Sequence, residues 1–528
     1  MLKELVFEEL TLKQKLGMVF TPFLNSWVRN EDSENFIFEM IKERALGAVW
    51  IQQGHSNAEG MLKKVKELAD YPIIIITDCE SGITCNGEKF LVGRHGAVGN
   101  TGDVKCAYAF GKVTATIAHK MGYNMICAPI VDLHRKGWIR GLGTDKEMVT
   151  ELASAIAQGY HDGGILSMAK HYPGCSDAFD TDPHMTAGVS YDTKEELMET
   201  ALYPYKVMME RGLLDGIMSG HRFCMNIDPN RVSSMSKPVM DIIREMGFEG
   251  IAMTDALCMM GVRALYSDVE SKGYAIAAGN DTILPFNADS RKDFAELCEA
   301  YDQGLIPDDM LDAAVKRILA THHRILSLTD DAVITDEEMK TFMSIDRNGI
   351  FAKTDEGVPT AISRGGKHYF AVMVRAEMRF DAEGKIDVDT FSSGWYYPQK
   401  IEAKIKELFP NSVVKFFHEF PTQGQNVAIL SESLDCDETI FMTFTEPLSF
   451  TGKEYLTRRL LTLIKSMQMT ERVSTVIHFG NPTVLEEMVH VPRIIAGGVS
   501  ENSVEAALDV LAGEYLAKGV LSCEVNFQ

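Results

Sequence analysis

The chain lacks any run of about 18 consecutive apolar residues, the length a bilayer crossing needs, so no membrane span is expected. Residues Met1 to Glu9 hold acidic groups where a signal peptide would be basic and then apolar, so the protein is expected to be cytoplasmic. Positive charge is also scarce. Lys and Arg number 52 against 75 Asp and Glu, and a net charge of −23 repels a polyanionic backbone, which argues against nucleic acid as a partner. The ten cysteines are scattered, with no pair at the two-residue spacing that presents thiolates to zinc, and reduced core residues are expected. There is no Gly-x-x-x-x-Gly-Lys-Ser/Thr loop, no complete Gly-x-Gly-x-x-Gly after a strand and no His-Glu-x-x-His helix. Phosphate-loop, dinucleotide and zincin chemistry therefore lack their parts, and neither a metal nor an organic cofactor is expected.

What is present is an ordinary globular composition, 45% apolar and 24% charged, which excludes disorder for the bulk of the chain. From about residue 45 to 290, short apolar, β-branched runs alternate with stretches of helical period. The runs are 47–51, 73–76, 125–131, 165–168, 216–218, 250–253 and 281–284. They are continuous rather than alternating, as parallel strands covered on both faces should be. Seven are visible, and an eighth expected in the N-terminal part would close a (β/α)8 TIM-type barrel; an open doubly wound sheet is the alternative. Ser236 is placed to cap the helix from Val239 to Met246, and Gly247 to end it.

The barrel is assigned to residues 1–330 and a charged, weakly periodic linker to 331–364. Residues 365–528 form a smaller α/β sandwich domain, with strands expected at 369–374, 427–430, 440–444 and 473–477 and helices at 454–467 and 503–516.

Parallel barrels carry their sites at the carboxyl ends of the strands. Asp78 and Glu80 follow the second run, Asp132 the third, Lys170 and His171 the fourth, His221 the fifth and Asp255 the sixth. One such residue is usually a helix cap. Five strand ends bearing ionisable groups imply a shared polar pocket, because burying each alone costs several kcal/mol.

Several stretches resemble glycoside hydrolase family 3, and within it the β-N-acetylglucosaminidases. Lys170-His171-Tyr172-Pro173-Gly174 with Asp177, followed by Asp182-Pro183-His184, is similar to that subgroup's signature loop. Residues 231–236, 247–250 and 254–257 resemble the segment leading to the nucleophile, and 10–15, 124–132, 277–281, 480–482 and 503–513 resemble further family segments. The resemblance implies Asp255 as the nucleophile and His184, held by Asp182, as the proton donor that takes the place of a second carboxylate. It also implies substrate contacts from Asp78, Arg140, Lys170 and His171, and more remotely from His221 and Asp132. Retaining glycoside cleavage needs a nucleophile on one face of the sugar and a proton donor on the other, and a nearby carboxylate fixes the tautomer of an imidazole donor.

This chain departs from the pattern at Cys175-Ser176, where His-Gly is usual, at Pro183, and at Glu80-Ser81-Gly82, where Glu-Gly-Gly is usual. The expected activity is retaining, exo-acting β-N-acetylglucosaminidase on a small carbohydrate substrate. A phosphorylase, a β-glucosidase and a non-catalytic sugar-binding protein are the alternatives.

Overall fold

The computed structural model describes residues 2–26, 28–133, 140–174, 182–328, 331–354, 360–374, 377–380, 386–389, 398–445, 449–450, 455–488 and 492–527. Strands Ala48–Trp50, Ile74–Thr77, Met125–Ile126, Leu166–Tyr172, Gly216–Ser219, Ile251–Ala256 and Thr282–Leu284 pair in chain order, and every pair is parallel. The missing eighth element is the segment 19–24. On one side Thr21 N–H donates to Ile283 O at 2.9 Å and Ile283 N–H to Val19 O at 3.0 Å; on the other, Leu24 N–H donates to Trp50 O at 3.0 Å and Trp50 N–H to Pro22 O at 2.9 Å. These bonds close the ring. Pro22 has no N–H to give, which keeps the segment from extending into a regular strand.

The strand residues are buried on both faces, which is why the apolar runs show no alternation. Outside the ring, helices Val104–Met121 and Lys146–Asp162 lie against each other where side chains are absent: a Cβ on Gly111 would stand 2.2 Å from Ile156 O, and one on Gly159 2.5 Å from Lys112 N. Helix Lys237–Glu245 begins after Ser236 as expected, but Ser236 Oγ does not cap it and instead donates to Asp228 Oδ2 at 2.7 Å. Among the described residues no helix is long and apolar enough to cross a membrane.

The second layer domain has a six-stranded sheet in the order Phe351–Lys353, Arg493–Ala496, Val473–Phe479, Glu438–Phe444, His368–Val374, Val413–His418. All neighbours are parallel except the first pair. Helices that include Pro398–Leu408, Arg458–Gln468 and Glu501–Leu511 bury apolar residues in the same core. Residues 427–430, expected as a strand, lie in helix Gln423–Glu432. Thr422 and Gln425 cap it reciprocally, and four apolar residues are too few for periodicity to separate strand from helix. The segment 331–364 is more than a connector: it holds helices Asp336–Met343 and Ile345–Asn348, and its strand Phe351–Lys353 edges the second sheet.

The two layers meet at a close backbone approach. A Cβ on Gly498 would fall 2.0 Å from Gly93 O, and buried Asp346 accepts from Gly93 N–H at 2.8 Å and from Ser500 Oγ at 2.6 Å. The next residue, Arg94, has a positive φ of 61° and turns its guanidinium toward the barrel mouth.

Candidate active site

The polar strand ends converge. Asp255 occupies the last turn of strand Ile251–Ala256, where its Oδ1 accepts from Ala256 N–H at 2.7 Å. His171, one residue before the end of strand Leu166–Tyr172, brings Nε2 to 3.8 Å from Asp255 Oδ2. Asp132 holds that imidazole, accepting at 2.7 Å from Nδ1 and at 3.2 Å from the His171 backbone N–H. Burial works against the charge of Asp255, but the imidazoles of His171, His221 and His184 outweigh it and keep the carboxyl below its ordinary range. An ionised carboxylate therefore faces the pocket near neutrality.

His221, whose contact with sugar was the more remote expectation, lies beside Asp255. Its Nδ1 meets Ser234 Oγ at 2.8 Å and its Nε2 meets Ala256 O at 3.2 Å, so both ring nitrogens are spent on bracing the chain beside Asp255. Burial pushes its pKa below the ordinary value.

A second group forms a charged floor. Lys170 Nζ binds Asp78 Oδ1 at 2.5 Å and Glu80 Oε1 at 2.8 Å. Arg140 grips Glu80 through Nε at 2.9 Å and Nη2 at 2.5 Å, and Arg94 Nη1 reaches Glu80 Oε2 at 3.3 Å. Desolvation favours a neutral Glu80, yet Arg140, Lys170 and Arg94 overcome it and hold the carboxyl well below its usual range. Asp78 behaves oppositely: burial raises its pKa despite Lys170. Its side chain is the more open of the two carboxylates, 34% exposed against 9% for Glu80. Glu80 was expected at this pocket from its place after the second run, though not as a substrate contact, and Arg94 was not expected. The position of Glu80 two residues beyond Asp78 was a usable signal, whereas Arg94 lies on no strand end and gave none.

His184 stands on the remaining side. Its Nδ1 lies 2.8 Å from Asp182 Oδ1, which also accepts the His184 backbone N–H at 2.9 Å. This closed Asp–His turn explains why the Asp-Pro-His tripeptide is compact. The carbonyl of His184 accepts from Met260 N–H at 2.9 Å, and a Cβ on Gly261 would come within 2.7 Å of Ala187 N, so the loop is tied to the segment that follows Asp255. Its Nε2 faces Ser449 Oγ at 3.1 Å, and the Phe450 ring tilts over the imidazole at 5.4 Å. Both residues come from the C-terminal domain, and nothing in the sequence pointed to them. Asp177, Cys175 and Ser176 lie outside the described residues.

The arrangement is an ionised carboxylate, a carboxylate-oriented imidazole and a charged hydrogen-bonding floor at the mouth of a parallel barrel. Residues 11–321 match the family model for the glycosyl hydrolase family 3 N terminal domain. The chain belongs to that family and is a glycoside hydrolase.

Among curated relatives, a beta-hexosaminidase of Tolumonas auensis is 26% identical over 266 residues, spanning 47% of this chain and 78% of that protein. A beta-N-acetylglucosaminidase/beta-glucosidase of Cellulomonas fimi is 25% identical over 284 residues, half of each chain. Among solved structures, a glycoside hydrolase family 3 beta-N-acetylglucosaminidase from Paenibacillus sp. str. FPU-7 superposes with a TM-score of 0.81 at 21% identity, covering 98% of this chain and all of that one. The beta-glucoside phosphorylase BglX gives 0.79 at 21% identity, covering 98% and 94%. These two likenesses establish the shared two-domain fold.

Proposed function

We propose that the protein is a retaining, exo-acting β-N-acetylglucosaminidase. The observation that carries this reading is the Asp182–His184 pair in a pocket with ionised Asp255, an imidazole standing where a glycosidase commonly has its second carboxylate. The likeness to beta-hexosaminidases supports the acetamido sugar as substrate.

In the first step an Asp255 carboxylate oxygen attacks the anomeric carbon while the bond to the departing oxygen breaks. That oxygen takes the proton from His184 Nε2. In the second step water gives a proton to the same nitrogen, its oxygen bonds to the anomeric carbon, and the Asp255 carboxylate is released. Asp182 holds the ring through Nδ1 in both steps, so Nε2 is always the nitrogen that faces the substrate. Asp78, Lys170 and Arg140 bind the sugar hydroxyls, and His171 stabilises the Asp255 charge before attack.

A phosphorylase is the second reading, favoured by the same imidazole, because it does not repel an incoming phosphate as a carboxylate would. Release of p-nitrophenol from the β-N-acetylglucosaminide and the β-glucoside, with and without phosphate, separates the readings. Preference for the acetamido sugar, at least about 10³-fold loss in Asp255→Ala and no glycosyl phosphate are expected. Phosphate stimulation with a glycosyl phosphate product would replace the hydrolase by the phosphorylase. Activity indifferent to Asp255 would end both.

A further inference from the structure

The catalytic nitrogen of His184 is in contact with the second domain. Ser449 Oγ lies 3.1 Å from Nε2, with Phe450 against the ring and its own φ at 65°. We infer that Ser449 is a positioning residue for the acid/base: its hydroxyl keeps Nε2 aimed in both protonation states, which makes the C-terminal domain part of the catalytic apparatus. This inference rests on the role proposed for His184.

The chemistry of the partner is what matters. With Nδ1 committed to Asp182, Nε2 carries a proton before the departing oxygen leaves and a lone pair afterwards. A carboxylate at the Ser449 position would accept from the first form and repel the second; an ammonium would do the reverse. A hydroxyl donates or accepts by rotating about one bond, so it satisfies Nε2 throughout the cycle. It also stands where the departing oxygen and then the attacking water must come, and it can share the nitrogen with either. Phe450 covers the neighbouring face of the ring, which limits where the imidazole can swing. Asp182 alone leaves that freedom, since a ring held at one nitrogen can still rock about the bond.

The test uses leaving groups that differ in their need for a proton. For Ser449→Ala in the full chain, kcat/KM for a 2,4-dinitrophenyl glycoside is expected to stay within about twofold. For an unactivated alkyl glycoside it should fall about three- to tenfold, the worth of one neutral hydrogen bond. Ser449→Thr, which retains a hydroxyl, should recover most of the loss. His184→Ala run alongside should show the same leaving-group dependence in larger measure, about 10²-fold. Equal loss on both substrates, or no loss on either, in Ser449→Ala overturns the positioning role while leaving His184 in place. Absence of leaving-group dependence in His184→Ala would instead overturn the proposed function beneath it.

Discussion

His171 Nε2 stands 3.8 Å from Asp255 Oδ2 while its other nitrogen is bound to Asp132 at 2.7 Å. The imidazole is thus wedged between two carboxylates, and its first electrostatic consequence is the depressed pKa of Asp255, the shift that opposes burial. Removing the ring leaves burial less opposed. His171→Gln should therefore raise the Asp255 pKa and move the acid limb of kcat/KM to higher pH. A pH profile of the variant against wild type across the acidic range measures this, and an unmoved acid limb would show that His171 does not act on Asp255.

Glu80 is the hub of the floor, bound by Lys170, Arg140 and Arg94 and only 9% exposed. Glu80→Gln removes the anion that these three cations share and leaves Lys170 its bond to Asp78. Breaking such a buried cluster from one side should cost about 3 kcal/mol or more, read as a lowered midpoint in urea unfolding. Asp78→Asn keeps that anion in place, so it should weaken substrate binding with a smaller change in midpoint.

Three buried histidines make stability sensitive to acid. Burial lowers His322 to about 4, and His95 and His478 to about 3, from an ordinary value of 6.5. In each case the folded state holds the neutral form. Below pH 6.5 the unfolded chain takes up protons that the folded chain refuses, so stability falls as pH drops toward about 4. By the time the folded pKa is reached the loss is about 3 kcal/mol for His322 and about 4 kcal/mol for each of the other two. Unfolding free energies measured at steps between neutrality and that value should decline, and His322→Gln should flatten the decline. A flat profile would mean that these rings protonate in place.

The domain joint admits no side chain at Gly498, where a Cβ would meet Gly93 O at 2.0 Å. Gly498→Ala should destabilise by about 1–3 kcal/mol through forced backbone shifts. Because Gly93 precedes Arg94 and Arg94 reaches Glu80, the variant should also raise KM. Gly60→Ala is the control: it lies in helix Ala58–Leu68 with open space around the added methyl and should stabilise by about 0.5–1 kcal/mol. Comparison of melting temperatures for the two variants checks both directions.

The amino-acid sequence by itself determined the seven barrel strands, because each is a contiguous apolar run whose signal is complete within three to seven residues. It also placed Asp78, Asp132, Lys170, His171 and Asp255 together, since a polar residue ending such a run lands at one mouth of a parallel barrel whatever the helices between do. Asp182 and His184 were legible only through the resemblance, as a tripeptide in a loop carries no periodic signal. What the tertiary structure decided lies across long separations. Segment 19–24 became the eighth stave because Ile283 and Trp50 flank it in space, and residues 427–430 became helix because a cap upstream outweighed a short apolar run. The assignment of His221 to bracing and of Glu80 to the centre of the charged floor depended on partners drawn from other strands and loops. Ser449 meets His184 across 265 positions of chain. No local pattern encodes such a meeting, because it follows from how two separately folded cores dock, and the docking is fixed by backbone approaches such as Gly93 against Gly498 rather than by the residues that it brings to the pocket.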